Sequence, residues 1–127
     1  MNKSRRKRIA NIISNLEGMT EYNVIESIKE EIEEVLWEED DAYNNMPENL
    51  QYSMRGEESY NAIDNLQEAV DVLEEVLDIL NEINNLNENY NDSDEEERLD
   101  LEDEIELKES EVDDCVYQAV GNLEQII

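Results

Sequence analysis

The chain has 127 residues, the length of one domain, and its 37 Asp and Glu against 9 Lys and Arg give a formal net charge of −28. Five of the nine cations (Lys3, Arg5, Arg6, Lys7, Arg8) fall in the first eight positions, so residues 9–127 hold 37 acids against 4 bases, a net of −33. That balance repels duplex nucleic acid and anionic membranes, and the lack of His with a single cysteine, Cys115, removes the commonest general base, an internal disulfide and a thiolate zinc site.

From the N-terminus, Ile9, Ile12, Ile13, Leu16 and Met19 recur at spacings of three and four, one apolar stripe on a short helix expected over residues 4–17. Gly18 ends or kinks it, and Thr20 can cap a second helix over 21–45, whose stripe of Ile25, Ile28, Ile32, Val35, Leu36, Ala42 and Met46 is out of phase with the first. Pro47 cannot continue that helix, so residues 46–56 read as a connector. A third helix over 57–89 carries two adjacent stripes: Ile63, Leu66, Val70, Leu73, Leu77 and Leu80, then Val72, Val76, Ile79, Ile83 and Leu86. Two stripes imply burial against two neighbours, and a thin helical layer suggests a homo-oligomer, a dimer in the simplest case. After a polar break, Ser93 and Glu96 have capping-box spacing for a fourth helix over 94–124, with Leu101, Ile105, Val112, Cys115, Val116, Ala119, Leu123 and Ile126 on its stripe.

The expected fold class is therefore all-α: an elongated helical bundle or antiparallel coiled-coil hairpin with shorter flanking helices. It is read as a single domain over 1–127, with the N-terminal helices and hairpin in 1–90 and an acidic loop plus C-terminal helix in 91–127. No run of 18 apolar residues occurs, so neither a membrane span nor a signal peptide is expected. The expected compartment is the reducing cytoplasm, where Cys115 reads as a small core residue.

The connector Met46-Pro47-Glu48-Asn49-Leu50-Gln51, with Ser53 and Arg55-Gly56-Glu57, leads into Ala62-Ile63-Asp64-Asn65-Leu66-Gln67-Glu68-Ala69. Together with the opening Met1-Asn2-Lys3 and Arg5-Arg6-Lys7, this resembles a group of small acidic helical proteins of bacteriophages and prophages. The resemblance covers roughly residues 1–83 and departs beyond them. It implies a phage origin, the cytoplasm of a bacterial host and a helical hairpin, but no mechanism.

Candidate chemistry is sparse. Glu30 with Glu33, and Glu31 with Glu34, have the spacing of bridging carboxylates in helical di-metal bundles, but such sites need a His partner. Residues 87–98 lack the mid-loop Gly and terminal Glu of a calcium loop. No metal, no cofactor and no enzymatic activity are expected, since nucleophile, base and orienter cannot be assembled.

The acids themselves form two blocks. One is on the second helix: Glu30, Glu31, Glu34, Glu38, Glu39, Asp40 and Asp41, beside Trp37 as a possible aromatic anchor. The other opens the fourth helix: Asp94, Glu95, Glu96, Glu97, Asp100, Asp103 and Glu104. An ordinary acidic run is a solvated helix face, but most of these carboxylates lack an i, i+4 cation, and like charges at that spacing destabilise a helix by roughly 0.2–0.5 kcal/mol a pair. Acids on one helix face stand about 5–6 Å apart, close to the phosphate spacing along one nucleic-acid strand. The expected function is that of an interaction protein that imitates DNA and occupies the basic cleft of a host nucleic-acid-binding or defence protein. The alternative is a structural or adaptor coiled coil that binds a protein through apolar seams. The basic N-terminal arm is expected to fold onto an acidic face, its own or a neighbour's.

Overall fold

The computed structural model describes residues 1–17 and 21–127, and among these the chain is helical with no strand. Among the described residues five helices follow one another: α1 (Lys3–Leu16), α2 (Tyr22–Asn44), α3 (Glu48–Gln51), α4 (Met54–Asn91) and α5 (Glu95–Glu124). The expected break at Gly18, the stripe residue Met19 and the Thr20 cap lie outside the described residues.

Local chemistry sets the helix starts. Asn2 Oδ1 accepts the Arg5 N–H at 2.8 Å and so begins α1. Asp94 Oδ1 accepts the Glu97 N–H at 2.9 Å and begins α5, one residue later than the Ser93–Glu96 spacing suggests. Ser93 is engaged elsewhere: its hydroxyl donates to the Asn89 carbonyl at the end of α4. Glu95, Glu96 and Glu97 then occupy the first turn of α5, where the helix dipole favours negative charge.

The connector is more ordered than its sequence suggests. Pro47 precedes the single turn of α3, and Gln51 Nε2 donates to the Tyr43 and Met46 carbonyls at 3.0 and 3.3 Å, closing the end of α2. Ser53 accepts the Gly56 N–H and donates to the Leu50 carbonyl, which starts α4 at Met54 rather than at 57. Gly56 sits against the Leu50 and Gln51 carbonyls so closely that a Cβ would overlap them. The motif Met-Pro-Glu-Asn-Leu-Gln with Ser53 and Gly56 is thus the chemistry of a tight helix corner.

α4, 38 residues and about 57 Å long at roughly 1.5 Å per residue, packs against both α2 and α5, while α1 packs on α2 and α5 and α3 sits on α4. Both α4 stripes are needed for this: Leu66, Val70, Leu73 and Leu77 are buried, and so are Val72, Val76, Ile79 and Ile83. The core is completed by Ile9, Ile12, Ile13 and Leu16 of α1, by Ile25, Ile28, Ile32 and Val35 of α2, and by Val112, Val116, Ala119, Val120 and Leu123 of α5. Most of both stripes is covered within one chain by α2 and α5, while Ile63, Leu80 and Leu86 stay half-buried.

The core is uneven along its length. From residue 84 to 111 no side chain is fully buried; Leu86, Tyr90, Leu101 and Ile105 are half-buried. In this stretch α4 and α5 meet in opposite chain order, Tyr90 opposite Glu102 and Glu82 opposite Lys108. Charge repulsion there is opposed by little buried apolar area. Screening should therefore stabilise the fold: raising NaCl from about 0.01 M to 1 M shortens the Debye length from roughly 30 Å to 3 Å. We expect the melting temperature by circular dichroism to rise by several degrees over that range, whereas a fold held by net-favourable surface ion pairs would lose stability.

Candidate partner-binding surface

The two acidic blocks differ in how much of their charge the protein itself neutralises. In the α2 block, Glu39 is buried, with 1% of its surface exposed. Its Oε1 lies 3.2 Å from the Met1 α-ammonium and accepts the Ser59 hydroxyl at 2.6 Å, while Oε2 accepts Arg5 Nε–H at 2.8 Å. Burial pushes the Glu39 carboxyl up, but the Ser59 hydrogen bond, the Met1 ammonium and Arg5 together outweigh it and hold the pKa below the ordinary carboxylate value. Glu39, expected on a partner-binding face, is instead the ionic tie between α1, α2 and α4, because every oxygen it could offer a partner is turned inward.

One helical turn along, Arg8 makes a short hydrogen bond to Glu38 and lies 3.6 Å from Glu34. The basic arm is the first turns of α1, laid on α2. What remains outward in this block is Glu30, Glu31, Glu34, Asp40 and Asp41, together with Trp37, whose side chain is 71% exposed.

The α5 block is far less compensated, with Glu104 feeling Lys108 at longer range. Asp94, Glu95, Glu96, Glu97, Asp100, Asp103 and Glu104 are all exposed, and among the described residues no ammonium or guanidinium lies within 4 Å of any of them. The nearby cations are turned toward α4. Arg98 lies over the Tyr90 ring at 5.2 Å and donates Nε–H to the Tyr90 carbonyl at 3.2 Å. Lys108 meets Glu82 at 2.6 Å, a hydrogen bond that raises its pKa. The Tyr90 hydroxyl donates to Glu102 at 2.9 Å, which raises the phenol pKa in turn. The outward face of α5 is left negative, with Leu99 and Leu107 exposed among its acids.

Four participants are not evident from the sequence: Ser59 and the Met1 ammonium as partners of Glu39, and the exposed pair Leu99 and Leu107. The signal for Glu39 was available. It lies four residues after Val35 and seven after Ile32, on the apolar stripe of α2.

Little else offers chemistry. Cys115 is half-buried, and burial first, then Glu75, Asp114 and Glu111, push its thiol pKa up, which keeps it protonated and a poor nucleophile. Among the described residues, no three Asp, Glu or Cys side chains converge as metal ligands. Among the described residues no helix is long and apolar enough to cross a membrane. Neither a protein-family model, nor a curated protein, nor a solved structure matches the chain.

Proposed function

We propose that this is a non-enzymatic, phage-encoded interaction protein that acts in the cytoplasm of a bacterial host by occupying the basic, nucleic-acid-binding surface of a host protein, a defence enzyme being the natural target. One observation carries the reading: among the described residues no cation lies within 4 Å of the acids that open α5, while Arg98 and Lys108, the bases within reach, are engaged on the α4 side. A surface built for solubility alone mixes both signs; sustained charge of one sign on a thin part of the fold sacrifices stability and favours a cationic partner. The shape suits the role. In this reading α4 and α5 form an elongated antiparallel coiled-coil hairpin, flanked by α1 and α2, whose distal part carries the charge at a spacing near that of phosphates.

The adaptor reading draws support from a different observation, the exposure of Leu99 and Leu107 in the middle of this face. The two readings separate in one experiment. The protein is immobilised, partners are captured from host lysate at about 0.15 M salt, and DNA or RNA is added as competitor. Mimicry predicts that nucleic acid displaces the partner and that amidation of Glu95, Glu96, Glu97, Asp100, Asp103 and Glu104 to Gln or Asn abolishes capture. The adaptor reading predicts capture by the amide variant and its loss on Leu99→Ser with Leu107→Ser.

A further inference from the structure

Trp37, the only tryptophan of the chain, stands on a ridge of α2 with its indole 71% exposed. On one side lies an open groove of about 530 Å³ between α2 and α4. Its floor is apolar, made by Leu36, Ile63 and Val70, and its rims carry Glu33 and Asp40 from α2 and Glu74 from α4. Glu33 and Asp40 flank Trp37 at i−4 and i+3, the positions that place side chains about 5–6 Å away on the same helix face. At one end the groove already holds an ammonium: Lys29 Nζ bridges Glu33 at 3.4 Å and Glu74 at 3.5 Å across the two helices. Burial lowers the Lys29 pKa, yet the two carboxylates outweigh it and raise the pKa overall, so this cleft favours a cation. Toward Asp40 no such cation is present among the described residues; Asp40 accepts only Asn44 Nδ2–H, at 3.4 Å.

From this placement we infer that the α2–α4 groove is a second binding site, for a short cationic segment of a partner protein: an Arg or Lys stacked on Trp37 and paired with Asp40, with an apolar side chain beside it on the Leu36, Ile63 and Val70 floor. Charge complementarity selects this occupant. A second copy of the chain carries a net charge of −28, which the few exposed cations Lys3, Arg6, Lys7 and Arg55 do not offset, and an anionic lipid surface would be repelled. An indole face flanked by carboxylates attracts a guanidinium or ammonium through the ring quadrupole and Coulomb terms together, and exposed Trp beside charged groups is the residue type that dominates interface energetics. The site lies on different helix faces from the α5 acids and does not depend on phosphate imitation there, although it shares the premise that the partner is basic.

The test uses the full chain and a defined probe, an amphipathic peptide of alternating Leu-Leu and Arg-Arg pairs, beside the same peptide with citrulline in place of each Arg. As the only indole, Trp37 reports on its own site. The Arg peptide should shift its emission to the blue and saturate, and the citrulline peptide should not. By calorimetry, Trp37→Ala should weaken Arg-peptide binding by about tenfold or more, the scale of an aromatic hot spot. Asp40→Asn should weaken it several-fold, with melting temperatures unchanged because both side chains are exposed. Amidation of Glu95, Glu96 and Glu97 is the control for generic attraction to a polyanion and should leave the affinity within about twofold, since those groups lie well beyond a Debye length of roughly 8 Å. Equal affinity for Trp37→Ala, or an unmoved emission spectrum, overturns the site. A dimer by light scattering that dissociates on Trp37→Ala also overturns it, because the groove would then belong to a second copy. Loss of nucleic-acid competition in the α5 variant bears on the mimicry reading alone.

Discussion

Replacing Glu39 with alanine is expected to destabilise the fold by about 3–5 kcal/mol, because it removes one partner of a buried ionic cluster and leaves the other charges uncompensated. The Met1 ammonium and Arg5 would lose their counter-ion and Ser59 its acceptor, and α1 would lose its polar tie to α2 and α4. Glu39→Gln keeps an acceptor for Ser59 and should lose less, about 2–3 kcal/mol, the scale of a hydrogen bond to a charged group left unmade. The pH dependence has a definite sign. The folded pKa of Glu39 lies below its ordinary value of 4.5, so its contribution is complete above pH 4.5 and is lost as pH falls through the lowered folded value. Repulsion among the surface carboxylates is relieved over the same acid range and acts in the opposite direction. The native chain and Glu39→Gln must therefore be compared at each pH. Urea denaturation from pH 7 to pH 3 should show the two converging in stability on the acid side, and a constant difference would mean that the buried charge contributes nothing.

Gly56→Ala is the second large effect, an expected loss of about 2–3 kcal/mol from overpacking. The added methyl would overlap the Leu50 and Gln51 carbonyls, and because these are backbone atoms the corner itself must open. Opening it strains the Ser53 cap and the Gln51 bonds that close α2. Gly121 gives the contrast. Among the described residues nothing outside its own helix backbone and chain neighbours lies within 4 Å of the position its Cβ would take, so Gly121→Ala should stabilise α5 by about 0.5–1 kcal/mol through helix propensity alone. Thermal melts of the two variants should move in opposite directions; a neutral Gly56→Ala would mean that the corner is looser than its geometry.

The long helices were legible because their apolar residues keep 3-4 spacing, and the double stripe on α4 correctly required two neighbours. Those neighbours are α2 and α5 of the same chain, which is where periodicity falls short: it counts the faces that need cover but does not say which helix covers them. The corner was illegible for another reason. α3 is one turn long, too short to show a period, and its order comes from specific hydrogen bonds of Gln51 and Ser53. Glu39 was misplaced because the run Glu38-Glu39-Asp40-Asp41 reads as one charged block, although helical phase puts Glu39 on the stripe of Ile32 and Val35 and its neighbours off it. The same phase places Trp37 outward, where it is found. The arm of α1 meets an acidic face, as its charge suggests, but with two separate effects: Arg5 helps close a buried cluster, while Arg8 neutralises part of the surface that α2 would otherwise present.

If the carboxylates on the outside of α5 bind a basic surface, as proposed, the salt dependence of affinity tests this most directly. Whichever partner the capture experiment yields is titrated with the native chain and with the six-site amide variant of α5 from about 0.05 to 0.3 M NaCl, and log Kd is plotted against log salt. The native chain should give a steep slope, with affinity falling by orders of magnitude across the range. The amide variant should bind at least about a hundredfold more weakly at 0.15 M salt, with a slope flattened by several units, while its melting temperature rises as repulsion is removed. Coincident lines for the two proteins would contradict the claim and leave the charge of α5 without a part in binding.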